Sequence, residues 1–199
     1  MPQIRFLAAF AAFSFLAGCG SDEGAASGDQ ASVDSAAPAA AAPADTSMAG
    51  MQHAAARDAD QEFARMMVDH HQGMIVMAQQ AMERGSTEAL KTEAHGMHQK
   101  QETEQKELLA MLQREYQDSH QPTVMPSNRA MADSLSAKQG ADYDMAFRMH
   151  TIAHHREAIQ MVDQFLPRLT RPELRTMAER MKADQAAEIQ KLEREMGHG

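Results

Sequence analysis

Tryptophan is absent from this 199-residue chain, aromatic residues make up 5% of it, and the single cysteine, Cys19, leaves no disulfide within the chain. Whatever core forms must be filled by aliphatic side chains and methionine. Neither lysine nor arginine clusters, and the formal net charge is −9. The basic face that binding to a phosphate backbone requires is missing, which excludes nucleic acid as a partner. An acidic surface instead favours solubility and attracts cations. Against these scarcities stand 18 methionines and 10 histidines, with methionine several-fold above ordinary usage.

Long hydrophobic runs are lacking too. The stretch Phe6 to Phe15 is too short to cross a bilayer, and with Arg5 before it reads as a secretory signal. Leu16-Ala17-Gly18-Cys19 follows and resembles a bacterial lipobox. That resemblance implies cleavage before Cys19, lipidation of Cys19, and a membrane anchor. Residues 1–18 are therefore expected to be a lipoprotein signal, and the mature chain to be lipid-anchored in an exported bacterial envelope, on the periplasmic face of a membrane or at the cell surface. Residues 19–57 are rich in Ala, Ser, Gly, Asp and Pro, cannot bury enough apolar surface to fold, and read as a disordered tether. Met48, Met51 and His53 at its end read as incidental.

Residues 58–199 carry an internal repeat at an offset of 84 positions. Asp60, Phe63, His70, His71, Ile75 and Met77 recur as Asp144, Phe147, His154, His155, Ile159 and Met161. Leu90, Thr92, Ala94, Met97, Gln101, Glu104 and Leu108 recur as Leu174, Thr176, Ala178, Met181, Gln185, Glu188 and Leu192. Duplication is the sensible inference. Apolar residues spaced by three and four predict helices over 58–84, 87–117, 140–165 and 171–196. Breaks fall at Gly85-Ser86 and between Pro167 and Pro172, with Thr170 as N-cap of the last helix. Ser119 to about Ala137, with Pro122 and Pro126, reads as a long connector. The expected fold is all-α: a four-helix, ferritin-like bundle built from two tandem helical hairpins.

On a helical wheel of about 100° per residue, Met66, Met67, Met74 and Met77 fall within about 60° of His70, with His71 at the edge of the same apolar face. Neutral imidazole and thioether suit copper, and thioether favours Cu(I) in particular; zinc and iron prefer other company. Any one of these methionines alone is ordinary core filling. Around a repeated His-His pair, the cluster reads as a ligand set. In the second copy His150 replaces Met66, Thr151 and Ala158 replace Met67 and Met74, and Met161 stays. His150, His154, His155 and Met161 thus make a more nitrogen-rich group, suited to Cu(II) or Zn(II). Two sites of unequal softness follow, unless the bundle brings both pairs to one shared centre.

The other helix of each half places Met97, Gln101 and Glu104, then Met181, Gln185 and Glu188, on its core stripe. Met97 and Met181 are further candidate ligands. Gln101, Glu104, Gln185 and Glu188 are expected to take hydrogen bonds from metal-bound histidines, since buried polar groups need partners.

The doubled Asp-x-x-Phe-x(6)-His-His-x(3)-Ile-x-Met pattern resembles the domain-of-unknown-function 305 family over about residues 58–196. The resemblance implies a ferritin-like fold and, for some members of CopM type, exported copper-binding proteins that serve copper tolerance. This chain has Gly73-Met74 and Glu157-Ala158 before the Ile, where an Ala is common, which makes Met74 a ligand peculiar to this copy. A non-enzymatic envelope protein is expected, binding Cu(I) or Cu(II) for sequestration, tolerance or delivery, with a copper-handling partner and oligomers both open. The rivals are a ferritin-like metallo-oxidoreductase and a structural module without metal. A di-iron centre would ask for a Glu-x-x-His motif on each of two helices, and the chain has no such pair of motifs.

Overall fold

The computed structural model describes residues 55–197. Among them the chain is all-α, with helices α1 (Ala59–Arg84), α2 (Glu88–Tyr116), α3 (Pro126–Ser136), α4 (Gly140–Phe165) and α5 (Pro172–Gly197), a 3₁₀ turn at Leu166–Arg168, and no strand. The expected signal, Cys19 and its lipid, and Met48, Met51 and His53 lie outside the described residues.

Local chemistry sets the helix ends. Asp58 caps α1 by accepting from the Gln61 amide at 2.9 Å, and Thr87 caps α2 by accepting from Leu90 at 3.2 Å. Helix α2 stops at Gln117, whose left-handed backbone (φ 55°) lets its N–H return to the carbonyls of Gln113 and Leu112. Gly140 opens α4 at φ 57°, a conformation open to glycine at no steric cost. Thr170, expected to cap α5, does something else: its amide (2.9 Å) and hydroxyl both donate to Asp60 at the start of α1. The equivalent position 84 residues earlier repeats the pattern, with the Ser86 amide and hydroxyl donating to Asp144 at 2.9 and 2.6 Å. Each half thus pins the hairpin loop of the other, and the Asp of the repeated motif serves this latch.

Helix α1 packs on α2, α4 packs on α5, α1 packs on α4, and α3 lies against α1 and α4. The apolar core falls into two clusters. The first holds Phe63, Val68, Leu108, Leu112, Phe165 and Leu174; the second holds Met77, Leu90, Leu135, Tyr143, Phe147 and Leu192. Each cluster takes one end of every long helix, which shows that α1 and α5 run one way and α2 and α4 the other. Between the clusters, all four helices carry polar side chains.

Helix α3 lies within the expected long connector, where the sequence reading placed no helix. Pro122 and Pro126 look like breakers, yet Pro126 stands at the first turn of α3, where its missing N–H costs nothing. Leu135 is its apolar anchor, fully buried in the second cluster. Asn128 of α3 is also fully buried and lies so close to α1 that a Cβ on Gly73 would stand 2.4 Å from its Nδ2. Gly73→Ala is expected to destabilise the protein by about 1–3 kcal/mol through overpacking. In urea denaturation the Gly73→Ala/Asn128→Ala double variant should lose less than the sum of the single losses; strict additivity would show that the two residues do not meet.

Candidate metal centre

Because α1 and α4 run antiparallel, their His-His pairs meet at mid-length. The rings of His70 and His154 stack with centroids 3.8 Å apart and planes tilted by 35°. His71 and His155 lie outside this stack, 6.4 and 5.9 Å from their neighbours. All four histidines are fully buried. The two expected sites are one layer.

Each outer histidine is held by a carboxylate from its own hairpin. His71 Nε2 lies 3.0 Å from Glu104 Oε2, and His155 Nε2 lies 3.0 Å from Glu188 Oε2. A carboxylate accepts, so both imidazoles donate from Nε2, and the neutral tautomer that does so has its lone pair on Nδ1. His154 Nε2 donates to the His70 carbonyl at 3.0 Å, which leaves its Nδ1 in the same state. His70 differs: neither ring nitrogen has a hydrogen-bond partner, and its Nε2 stands 3.9 Å from Glu157 Oε2. Nδ1 of all four histidines, His70 Nε2, Gln101 Oε1 and both polar atoms of the Gln185 amide are therefore buried without hydrogen bonds. One such orphan typically costs about 1–3 kcal/mol. Their concentration in one layer is what a ligand site looks like when the ligand's bonds are still to be made.

Electrostatics keep the layer ready for a cation. Burial holds His70 and His154 well below the usual imidazole range, and the neighbouring imidazoles push the same way. Both rings are neutral at neutral pH, the form that binds metal. At Glu188 burial pushes the carboxyl up, but the hydrogen bond from His155 and the nearby Lys100 and Lys191 charges outweigh it and leave it lowered. Among the described residues no group of three or more His, Cys, Asp or Glu side chains converges as a ready ligand set. Completing a coordination sphere takes methionine sulfur or a turn of the rings.

The methionines flank the layer on both sides. Met67, Met161 and Met181 belong to the first apolar cluster, with Met66 packed against it; Met74, Met77 and Met97 belong to the second. Met67 and Met74 are one turn to either side of the His70-His71 pair, a rise of about 5 Å. The soft and hard halves expected from the wheel do not separate in space, because both pairs share one layer between the same two methionine-bearing clusters. His150 is not part of it. Half-buried, it meets Ser134 of α3 at 2.7 Å, since α3 occupies the face of α4 that the wheel assigned to the core.

Sequence reasoning missed three supports. Asn128 donates to the His70 carbonyl at 3.4 Å, the same oxygen that His154 uses. Gln105 holds α1 through the Val68 carbonyl (3.0 Å) and the Gln72 side chain (3.1 Å). Asp69 ties down the connector by accepting from His120 at 3.0 Å and from the Thr123 amide at 2.7 Å. Gly73 was the one signal that a neighbour approaches α1 here. On the other side, a groove bordered by Lys100, Glu104, Glu107, Arg180 and Asp184 reaches from solvent to Glu104, the partner of His71.

An all-α protein with a buried histidine layer between repeated His-His helices is the class that this geometry defines. The chain belongs to the family described as Domain of unknown function (DUF4142), whose model matches residues 25–194. The DUF305/CopM type, to which the motif pointed, stands beside it among solved structures. CopM in its Cu(I)-bound form is 28% identical, with 70% of this chain and 96% of that chain covered and a TM-score of 0.61. CopM is also known in Cu(II)-bound and silver-bound forms. A DUF305 fragment from Deinococcus radiodurans is 24% identical over 71% of this chain and 97% of its own, with a TM-score of 0.63. A DUF305 protein from Streptomyces coelicolor is 22% identical over 69% and 91%, with a TM-score of 0.61; these two show the fold alone. No curated protein matches the chain.

The histidine layer sets a pH dependence for the metal-free protein. Above the ordinary imidazole value of 6.5, His70 and His154 are neutral in folded and unfolded chains alike. Below it the unfolded chain takes up protons that the folded layer refuses, so stability falls with pH by up to about 1.4 kcal/mol per unit for each histidine. Urea denaturation between pH 7 and pH 5 should show this loss, and His154→Gln should make it shallower. A slope indifferent to that substitution would refute the assignment.

Proposed function

We propose that this protein binds copper, as Cu(I) or Cu(II), in the layer formed by His70, His71, His154 and His155, and that it holds the metal for sequestration or delivery rather than for catalysis. The observation that carries this reading is the set of buried imidazole nitrogens without partners between two methionine-bearing clusters. Imidazole nitrogen and thioether sulfur together are the donor chemistry of copper. Met67 and Met74 are the nearest thioethers along the helix; Met66, Met77, Met97, Met161 and Met181 are a reserve within reach of side-chain rearrangement. Glu104 and Glu188 orient the outer rings, and their charges balance a bound cation. Gln101 and Gln185 complete the polar shell. The likeness to CopM, solved with Cu(I), Cu(II) and silver, supports the choice of metal.

The same reading includes a ferritin-like four-helix bundle that arose by duplication, with α3 as its crossover. It also includes export: Leu16-Ala17-Gly18-Cys19 argues for a signal over residues 1–18, a lipid on Cys19, a tether over 19–57 and the folded domain beyond. A lipid-anchored envelope protein of this kind would take copper from solvent or from a copper-handling partner. The presence of two carboxylates beside four histidines favours one rival, a dinuclear oxidase, and oxygen uptake by the copper- or iron-loaded protein would support it.

Cu(I) titration against a competing chelator should show binding tighter than micromolar, and Glu104→Gln or Glu188→Gln should weaken it by about 10–100-fold. Elemental analysis of the protein purified from its native cells should find copper. Binding weaker than micromolar, or native protein carrying zinc or iron in place of copper, would overturn the reading.

A further inference from the structure

Away from the histidine layer, one surface feature is not explained by packing. Met145 and Met149 on α4 are the large apolar side chains left exposed among the described residues, at 45% and 57%. They are one helical turn apart and line a groove that also holds Ala146, His150 and Ala153, with Asp142 and Lys138 at its border. At about 100° per residue the two alanines fall between the methionines and His150, so nothing bulky stands between the sulfurs and the ring. Two exposed side chains make a patch too small to mark a protein interface by area.

The protonation state of His150 follows from its neighbour. Ser134 has one hydroxyl proton and donates it to the Met131 carbonyl at 2.7 Å. Its contact with His150 Nε2, also 2.7 Å, is then one in which the imidazole donates. His150 therefore carries its proton on Nε2 and a lone pair on Nδ1. A hydrogen bond from the non-ligating nitrogen is the usual means of orienting a metal-binding histidine. Burial, with help from the charge of Lys138, lowers its pKa and favours the neutral ring.

We propose that Met145, Met149 and His150 form a second, solvent-facing site for a soft monovalent cation, Cu(I) or Ag(I), bound by two thioether sulfurs and the imidazole Nδ1. Thioethers select soft ions over zinc or the alkaline earths. The site uses none of the residues of the buried layer and rests on the copper reading only for the physiological choice of metal. Solvent-exposed, it would load before the buried layer does.

Ag(I), which does not cycle between oxidation states, is the probe. In the full chain with ¹³C-labelled methionine methyls, the Met145 and Met149 signals should shift with the first equivalents of Ag(I). Met145→Leu/Met149→Leu, at exposed positions and close in volume, should keep the thermal midpoint and bind one Ag(I) fewer by elemental analysis. Ser134→Ala should weaken the site by about 10-fold or more. If the Met67 and Met74 methyls respond and those of Met145 and Met149 do not, this proposal fails and the buried centre stands. If Met145 and Met149 respond while the ring signals of His70, His71, His154 and His155 do not, the surface site stands and the buried centre fails. Silence from methyls and rings alike removes both, and an equal response of Met145 and Met149 to Zn(II) refutes a soft site.

Discussion

The stacking of His70 on His154, with the His154 ring donating to the His70 carbonyl, is the contact on which the rest of the molecule depends. It joins α1 to α4 at mid-length and so fixes the register of one half against the other. Burying two imidazoles face to face is favourable only if both stay neutral, and burial lowers their basicity in that direction. The remaining geometry follows from this condition. Glu104 and Glu188 sit at the outer histidines, where a charge can be hydrogen-bonded, and not at the central pair.

A polar layer of this kind divides the core. Apolar clusters form above and below it, each built from one end of every long helix, and each contributes methionine. In the proposed function this division is useful. Thioethers approach the layer from both sides, while the orphaned nitrogens provide the driving force for a cation to enter. The cost of leaving those nitrogens unpaired is borne by the two clusters and by the Asp60 and Asp144 latches, which tie each half to the loop of the other.

The two faces of the layer are unequal. On the α1/α4 side α3 covers it, with Asn128 pressed against Gly73 and bonded to His70. On the α2/α5 side Glu104 lies at the foot of a groove bordered by carboxylates and by Lys100 and Arg180. The second face is thus the one that a groove approaches from solvent, and the first is closed by a packed helix.

Much of this was legible in the residues. The period of three and four marked the long helices to within a residue or two, because each buries one continuous apolar stripe. The offset of 84 named the histidines, the glutamates and the aspartates in pairs. Three things were not legible. Helix α3 was hidden because its prolines are breakers inside a helix and starters at its first turn, and position alone decides which. The fate of His150 was hidden because a wheel shows which face a residue shares, and not which neighbour covers that face. Whether the two His-His pairs stand apart or form one layer was hidden because it depends on the antiparallel crossing of α1 and α4. By itself the sequence determined the helices, the polar stripe and the donor chemistry, all of which are local. Only the tertiary structure decided which donors meet, because that depends on how helices far apart in the chain cross and on what each then excludes from water.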